Sequence, residues 1–308
     1  GGMRAVVLSE FGPPENLVLS EVPDPIAGPD QVLIEVEAAG VTFIETQVRA
    51  GTFALRPPRE LPVVLGNGVA GTAAGRAVVS TTGGLGGYAE RVAVDASELI
   101  DIPVGLASTD ALALLADGRT ALGLTELATP AEGEWVLVEA AGGGVGSLLV
   151  QLATAAGARV IGAASSQPKL AVAKESGAVA VVDYRAPDWP DQVRKLTGGA
   201  GFDLVFDGVG GDIGSAALDL TRRGGRFCVH GAASGTMTKP DPAVTFIGLH
   251  QFQRDAAGIR ELAATALAEA AAGRLRPTIG QTFPLADASR AHARIEARQS
   301  IGKTLLII

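Results

Sequence analysis

Residues 135–157 read Trp-Val-Leu-Val-Glu-Ala-Ala-Gly-Gly-Gly-Val-Gly-Ser-Leu-Leu-Val-Gln-Leu-Ala-Thr-Ala-Ala-Gly. An apolar run enters a cluster of glycines and an amphipathic stretch leaves it, which predicts a strand, a tight turn and a helix. Ala141, Gly143 and Gly146 stand where the dinucleotide-binding fingerprint places its glycines. Gly143 would let the backbone approach a pyrophosphate, and Gly146 would let the helix pack close to the strand.

The start of the predicted helix supports the same interpretation. Backbone N–H groups at a helix N-terminus are unpaired and carry partial positive charge, so Gly144 and Val145 could donate to phosphate oxygens. A glycine fingerprint alone is weak evidence, and a glycine-rich turn without a ligand is the alternative. Here the preceding strand, the helix pattern and the terminating Gly157 agree, so the stretch predicts a nucleotide-binding site.

The composition narrows the class of protein. The chain has 308 residues, of which 47% are hydrophobic, enough for two domains or one large one. Its net charge of −8 argues against nucleic acid as a partner. The single cysteine, Cys228, excludes an internal disulfide framework and fits a reducing compartment. No segment has the pattern of a membrane span or a secretory signal, so we expect a cytoplasmic protein with no membrane partner.

The order of local patterns predicts two domains. Residues 1–106 contain short strand-like pieces divided by proline-rich and glycine-rich turns, which is typical of antiparallel β structure. Helical and strand patterns alternate over residues 107–272, which indicates a parallel sheet with helices on both faces. Residues 273–308 return to strand, helix and strand, and we expect them to dock on the N-terminal β domain. The parallel strands are expected at Trp135–Val138, Arg159–Ala163, Ala180–Asp183, Phe202–Asp207 and Gly225–His230.

Short motifs spread over nearly the whole chain add a resemblance to a known family. They are Ala39-Gly40-Val41, Phe43-Ile44-Glu45, Arg49-Ala50-Gly51, Leu61-Pro62, Gly86-Gly87-Tyr88-Ala89-Glu90, Ala140-Ala141-Gly142-Gly143-Gly144-Val145-Gly146, Gln151-Leu152-Ala153, Asp183-Tyr184-Arg185, Asp207-Gly208-Val209-Gly210, Pro284-Leu285-Ala286-Asp287-Ala288 and Gly302-Lys303. In these motifs and their order the chain resembles the medium-chain dehydrogenase/reductase superfamily, and most of all its zinc-independent quinone oxidoreductase (zeta-crystallin-like) branch.

The resemblance implies an α/β fold class with two domains. Residues 1–106 and 273–308 would form a GroES-like β domain that holds the substrate. Residues 107–272 would form a Rossmann domain, a doubly wound parallel sheet that binds the cofactor. The implied activity is hydride transfer to a small molecule, and the implied assembly is a homodimer.

Zinc ligands are missing where the superfamily carries them. A catalytic site would need a Cys or His near Thr42 and a Gly-His-Glu turn near residue 66, but the turn reads Gly66-Asn67-Gly68. The three histidines have no ligand spacing, and a structural site would need four closely spaced cysteines. We therefore predict that the protein works without zinc.

The choice of nucleotide depends on the end of the second parallel strand. Enzymes that use NAD place a carboxylate there for the ribose 2′-hydroxyl, whereas this strand runs into Ser165-Ser166 with Lys169 just beyond. Hydroxyl groups and an ammonium suit a 2′-phosphate. In the resembled branch a Lys, a Tyr and a C-terminal Arg bind this phosphate, and they map onto Lys169, Tyr184 and Arg298. Each of the three could alternatively be a solvated surface residue, but the set predicts NADPH.

Three further residues are expected near the cofactor. Asp207 ends its strand and, with Val209 in the following turn, is expected to shape the backbone beside the nucleotide. His230 ends the next strand, where ligands gather in such folds. A titratable imidazole there could move a proton, but contact with the cofactor without catalysis, or a hydrogen bond to backbone, is the more conservative interpretation. Cys228 and His292 are expected to be structural.

The substrate pocket departs from the family pattern. The resembled family usually carries an Asn and Tyr residues, and the aligned positions here hold Thr42, Gln47 and Phe53, with Gly68 where a Glu is usual. The segment between Gly71 and Gly83 is also shorter than in most relatives. Thr42 and Gln47 could donate hydrogen bonds to a substrate carbonyl, or they could cap or face solvent on a short helix. No proton donor is assigned.

Three functions stay open on these observations. The first is reduction of a quinone or an enone by NADPH, and the second is an enoyl or alkenal reductase of a biosynthetic pathway. The third is a non-catalytic NADPH sensor, which the missing tyrosines favour. For the homodimer, we expect the apolar, strand-prone residues Val244, Phe246 and Ile247 to lie at the contact, and a core-facing strand in a monomer is the alternative.

Overall fold

The computed structural model describes residues 1–53 and 60–308 of the chain. Its strands, in chain order, are β1 (Gly2–Leu8), β2 (Leu17–Pro23), β3 (Gln31–Val41), β4 (Val63–Val64), β5 (Gly68–Ala73), β6 (Arg76–Thr81), β7 (Arg91–Asp95), β8 (Ile100–Asp101), β9 (Trp135–Val138), β10 (Arg159–Ala164), β11 (Ala180–Asp183), β12 (Phe202–Asp207), β13 (Thr221–Val229), β14 (Thr245–Gly248), β15 (Ile279–Pro284) and β16 (Lys303–Ile307). Its α-helices are α1 (Phe43–Ala50), α2 (Ser108–Ala128), α3 (Gly144–Ala155), α4 (Gln167–Glu175), α5 (Trp189–Thr197), α6 (Gly211–Asp219), α7 (Ala256–Ala271) and α8 (Ala288–Glu296).

Two compact units divide the described residues. The first contains Gly1–Ala116 and Ala263–Ile308, and the second contains Asp117–Leu262. These limits fall inside α2 and α7, whereas the sequence boundaries at residues 107 and 272 assign both helices whole to the Rossmann domain. The assignment of substrate to one domain and cofactor to the other remains a prediction.

The first unit is a mostly antiparallel β structure. One sheet has the order β15-β16-β3-β5-β6-β8, with β7 also paired to β3, and a second has the order β2-β1-β4. Along β3 the side chains alternate between solvent and core, so Ile34 and Val36 are buried while Glu35 is exposed. The C-terminal strand β16 pairs antiparallel with β3, so the end of the chain lies in the same sheet as the N-terminal strands.

The second unit is a six-stranded parallel sheet with the order β11-β10-β9-β12-β13-β14. Its central strands are continuous buried runs because helices cover both faces, and Leu137, Ile161 and Val205 are fully buried. The chain builds outward from β9 in one direction through β10 and β11, then returns to add β12 on the other side. The predicted fold class is therefore confirmed, and the reversal creates a crevice at the carboxyl ends of β9 and β12 where such folds bind ligands.

No helix within the described parts of the chain combines the length and the apolar character that crossing a bilayer requires.

Candidate functional site

The turn after β9 is closed by its own backbone. The N–H of Ala141 donates to the carbonyl oxygen of Ala163 at 3.1 Å, and the N–H of Gly143 donates to that of Ala140 at 3.0 Å. Helix α3 then begins at Gly144, with Gly143 as its extended N-cap residue. Because glycine has no side chain to cap the helix, the terminus presents backbone N–H groups of the kind that bind phosphate.

Two glycines of the turn are required by close contacts. A Cβ atom at Gly146 would lie 2.1 Å from the carbonyl oxygen of Ala140, so only glycine allows α3 to approach the end of β9 this closely. A Cβ atom at Gly142 would lie 2.5 Å from the Cβ atom of Lys169, which places the start of α4 against the same turn. At Gly143 the nearest atom to a Cβ would be 3.2 Å away, a far milder conflict.

A carboxylate that the sequence analysis missed lies at the start of α3. A Cβ atom at Gly144 would be 2.2 Å from Oδ2 of Asp117, so this carboxylate touches the first residue of the helix. A negative charge is stabilising beside a helix N-terminus. Asp117 belongs to α2, which has no clear amphipathic period, and nothing in the sequence pattern connects it with the glycine turn.

The carboxyl end of β10 gathers four of the predicted phosphate contacts. Ser165 and Ser166 follow the strand, Ser166 is the N-cap residue of α4, and Lys169 lies in the first turn of that helix. The N–H of Tyr184 donates to the carbonyl oxygen of Ala164 at 3.1 Å, which holds the tyrosine at the same strand end. The fifth residue, Arg298, is an exposed residue that follows α8 in the other unit.

A carboxylate near this end is neutralised by an arginine. Asp183 ends the neighbouring strand β11, and the Arg185 guanidinium contacts its carboxylate at 2.5 Å. The hydrogen bond from Arg185 lowers the pKa of Asp183. The strand end beside Ser165 and Lys169 is therefore suited to an additional negative charge.

Asp207 organises the turn that follows β12. Its Oδ1 atom accepts hydrogen bonds from the N–H groups of Val209 at 3.1 Å and Gly210 at 2.9 Å. Its Oδ2 atom accepts from the Thr238 hydroxyl at 2.5 Å. The side chain is fully buried, so three donors stabilise one carboxylate and join two loops of the crevice.

His230 follows β13 and its backbone N–H donates to the carbonyl oxygen of Asp207 at 2.9 Å. Burial lowers the pKa of His230 to about 4, with Asp207 opposing the shift, so the imidazole is neutral at pH 7. Its buried Nε2 atom has no hydrogen-bond partner among the described residues. A buried polar atom without a partner is uncommon in folded proteins, and His230 is therefore a candidate functional residue.

A cavity of about 560 Å³ opens beside this imidazole. Its wall is mainly apolar, and its polar contributions come from His230, Thr238 and His250. The remaining lining residues are Val229, Gly231, Met237, Pro240, Phe246, Ile247, Gly248 and Leu249. The cavity lies within the second unit at the carboxyl ends of β13 and β14, and an apolar wall with a few polar groups is typical of a small-molecule site.

The three predicted substrate-pocket residues lie along and after α1 in the first unit. Thr42 is the N-cap residue of α1: its Oγ1 accepts from the N–H of Glu45 at 3.3 Å, and Glu45 Oε1 accepts from the N–H of Thr42 at 2.9 Å. The capping alternative is thus correct for Thr42, although a hydroxyl that accepts still has a proton to donate. Gln47 and Phe53 are half-buried.

Beneath α1 lies a buried polar network that the sequence pattern did not reveal. The Tyr88 hydroxyl donates to Glu45 Oε1 at 2.9 Å and lies 3.0 Å from Nε2 of His292. Arg49 lies 3.4 Å from Nδ1 of His292 and forms an ion pair with Glu296. Burial raises the pKa of Glu45, whereas burial and the charge of Arg49 lower the pKa of His292 to about 3. His292 is therefore structural and neutral, as the sequence suggested.

The turn that replaces the family's metal-binding motif is held by other contacts. The N–H of Asn67 donates to Glu45 Oε2 at 2.9 Å, and Asn67 Oδ1 accepts from the N–H of Gly84 at 2.8 Å. Across residues 1–53 and 60–308, no three His, Cys, Asp or Glu side chains are grouped as metal ligands would be. Independence from zinc stays a prediction.

The sequence and the structure were compared with those of known proteins. Residues 144–267 match a family model described as "Zinc-binding dehydrogenase". A 2-haloacrylate reductase from a Burkholderia species is 32% identical, with 99% of both chains covered. Human quinone oxidoreductase is 31% identical, with 99% of this chain and 98% of the human chain covered.

Solved structures give similar results. Escherichia coli quinone oxidoreductase complexed with NADPH superposes with a TM-score of 0.89 at 28% identity, covering 99% of this chain and 100% of that chain. The quinone oxidoreductase of Thermus thermophilus, also solved in complex with NADPH, gives a TM-score of 0.81 at 32% identity over the same shares. The similarity therefore extends over both compact units.

Proposed function

Because this chain belongs to the quinone oxidoreductase branch of the medium-chain dehydrogenase/reductase superfamily, we propose that it reduces a quinone or an activated carbon–carbon double bond such as that of an enone. It is an NADPH-dependent oxidoreductase, which agrees with the sequence prediction. The acceptor, the residues that contact it and independence from zinc belong to the proposal.

One observation supports the cofactor site above all others. The glycine turn, the start of α3 and the polar end of β10 lie at the point where the strand order of the sheet reverses. In this proposal the start of α3 binds the pyrophosphate. Ser165, Ser166, Lys169 and Tyr184 bind the 2′-phosphate, with Arg298 as a further contact. The ion pair with Arg185 neutralises the charge of Asp183, a carboxylate near the same end of the sheet.

The chain's own groups would mainly orient the reactants and exclude water. NADPH supplies the hydride when it is bound. His230 lines the cavity of the second unit with a neutral imidazole, which in this proposal packs beside a bound ring. In the first unit, Thr42 and Gln47 offer donors for the oxygen on which negative charge develops.

A second acceptor class has its own support. The similar 2-haloacrylate reductase is named for reduction of a halogen-substituted acrylate, an activated double bond. An enoyl or alkenal reductase therefore remains an alternative to a quinone reductase. A sensor that binds NADPH without turnover is the third possibility, because Thr42, Gln47 and Phe53 stand where the family usually carries an Asn and Tyr residues.

The test is NADPH oxidation with a panel of quinones, enones and substituted acrylates. Turnover of quinones supports a quinone reductase, and turnover of enones or acrylates alone supports the alternative reductase. Tight NADPH binding with no turnover of any acceptor would contradict both and favour the sensor. Elemental analysis of the same protein, with and without chelator, checks zinc: stoichiometric metal or loss of activity on chelation would overturn that part of the proposal.

The remaining parts of the proposal concern location and partners. We place the protein in the cytoplasm, where a single buried cysteine suits the reducing conditions. Its partner is a small molecule, and the net charge of −8 makes nucleic acid an unsuitable one.

A further inference from the structure

Two carboxyl groups are buried side by side under the cofactor crevice. Glu139 follows β9 directly and precedes the glycine turn, and Asp207 ends β12. The two strands are neighbours in which Val138 pairs with Phe206, so the next residue of each strand lies at the same level of the sheet. Both side chains have no exposed surface.

The hydrogen-bond donors around the two carboxyl groups serve mainly Asp207. Asp207 accepts three hydrogen bonds, from the N–H groups of Val209 and Gly210 and from the Thr238 hydroxyl. Neither oxygen of Glu139 has a donor among the described residues. A negative charge on Asp207 is therefore stabilised by three donors, while a charge on Glu139 would be buried with little compensation beyond the nearby N–H of Val209.

One arrangement of the described side chains satisfies both groups. A protonated Glu139 can donate its O–H to Asp207, which gives Glu139 a partner and Asp207 a fourth donor. Burial and the adjacent Asp207 raise the pKa of Glu139 well above its usual value, in agreement with this geometry.

We propose that Glu139 is a positioning residue that carries one proton shared with Asp207, and that this proton holds the two cofactor-binding turns at the ends of β9 and β12 in register. The inference rests on the proposed NADPH site, because the first turn precedes α3 and the second contains Val209. Ionisation of Glu139 places two carboxylates in contact and separates the turns, so NADPH affinity falls at alkaline pH.

The other charged groups beside the glycine turn are Asp117, against Gly144, and Lys169, against Gly142, and both are the same in every variant compared below. Burial raises the pKa of Cys228 to about 12 and lowers that of His230 to about 4, so both are neutral at mildly alkaline pH. Helix α3, which packs against β9, carries no charged residue. Helix α6, which packs against β12, carries Asp212 and Asp219, and both are exposed.

The experiment compares the full-length wild-type protein with Glu139→Gln, Glu139→Ala and the exposed control Glu132→Gln. The glutamine amide donates to Asp207 at every pH and so imitates the protonated acid. NADPH dissociation constants are measured by calorimetry from about pH 6 to 10. We expect the affinity of the wild type and of Glu132→Gln to fall relative to Glu139→Gln by about tenfold for each pH unit above the pKa of Glu139, because titration of the cofactor phosphate and of its other contacts is common to all three proteins. Glu139→Ala should bind weakly throughout.

A second measurement, urea unfolding without cofactor, tests the proton independently of NADPH. If folding raises the pKa of an acidic group, then the protein loses stability as the pH rises above the pKa of that group in the unfolded chain. The stability of Glu139→Gln relative to wild type should therefore increase from pH 5 to pH 9, and that of Glu132→Gln should not. A pH-independent difference would overturn the shared proton, and an equal alkaline loss of affinity in Glu139→Gln and wild type would overturn the coupling. Absence of NADPH binding in the wild type would instead refute the proposed function and the coupling, while the unfolding result would still decide the proton.

Discussion

Lys169 is the single side chain on which the cofactor preference can be tested most directly. It lies in the first turn of α4 at the end of β10, where no carboxylate takes a ribose hydroxyl. Lys169→Ala should weaken NADPH binding by about 1.5–3 kcal/mol, roughly ten- to a hundredfold, because one charge-assisted phosphate contact is lost. NADH affinity should change little.

The matched control for that substitution is Lys174→Ala, an exposed lysine in the last turn of the same helix. Titration of both cofactors into the three proteins gives the ratio of dissociation constants. An unchanged ratio in Lys169→Ala, or an equal change in Lys174→Ala, would remove Lys169 from the phosphate site.

Single residues were predictable from the sequence where a local rule fixes them. Gly146 followed from the fingerprint spacing, and the structure shows the backbone contact that requires it. Glu139 and Asp117 were not predictable as site residues, because one looks like the end of a strand and the other like part of an apolar helix. Their positions depend on which strands and helices become neighbours, and that information is absent from local patterns.

At the junction of β9 and α3 the backbone is packed so closely that there is no space for a side chain at Gly146. A Cβ atom at Gly146 would meet a backbone oxygen at 2.1 Å, and backbone cannot move aside cheaply. Gly146→Ala should therefore destabilise the fold by about 1–3 kcal/mol. Gly143→Ala should cost less stability and mainly reduce NADPH affinity, since its Cβ would meet that oxygen only at 3.2 Å.

Thermal or urea unfolding of both variants, followed by NADPH titration of the folded proteins, separates these effects. Equal stability losses at the two positions would show that the close approach of α3 is not what requires glycine at residue 146.

Helices α1 and α8 are joined through the neutral imidazole of His292. Folding lowers the pKa of His292 to about 3 from a usual value of 6.5. Between pH 3 and pH 6.5 the imidazole is therefore mainly protonated in the unfolded chain and mainly neutral in the folded protein. Stability from this group is complete above pH 6.5 and falls on acidification, by up to about 1.4 kcal/mol per pH unit. His292→Gln should show a weaker dependence of unfolding free energy on pH between 3.5 and 6.5.

The control is His250→Gln, which replaces an exposed histidine. Urea unfolding across that range should give the wild-type slope for the control and a reduced slope for His292→Gln. If all three proteins lose stability in parallel, then the buried network does not exclude the proton.

At the scale of elements, hydrophobic pattern and turn residues located the parallel strands well. The expected strands Trp135–Val138, Ala180–Asp183 and Phe202–Asp207 have the bounds of β9, β11 and β12. Strand β13 begins at Thr221, before the expected Gly225, at an irregularity in its pairing with β12 that no pattern announces. Helix α2 was not predicted because a helix with apolar residues around most of its circumference lacks a 3.6-residue period.

The whole second unit ends at β14, an edge strand of the six-stranded sheet. Of the residues predicted to contact a second copy, Ile247 is buried, Phe246 stacks on Phe227 at 5.0 Å between ring centroids, and Val244 packs on the same core. These side chains therefore stabilise the unit itself, as the monomer alternative expected. A homodimer through this edge would use the strand backbone and exposed neighbours such as Leu249.

We still expect a homodimer, since an unpaired edge of a sheet favours association. Light scattering at micromolar concentration should give twice the chain mass of 31.1 kDa. Leu249→Asp should shift the population toward monomer, whereas Leu196→Asp, at a leucine of nearly equal exposure on α5, should not (44% and 45%). A monomer throughout would end the proposal, and a dimer indifferent to Leu249→Asp would place the contact on another surface.

The buried thiol has a consequence if the proposed quinone substrate is correct. Quinones are electrophiles that add to thiolates, so an exposed cysteine would be arylated by the proposed substrates. The chain has one cysteine, Cys228, which is fully buried and whose pKa is raised to about 12, so it offers almost no thiolate at neutral pH. Mass spectrometry after incubation with benzoquinone should find the folded protein unmodified at this thiol and the urea-unfolded protein arylated once there. The fold itself would then protect the enzyme from electrophilic acceptors of the proposed class, without any scavenger.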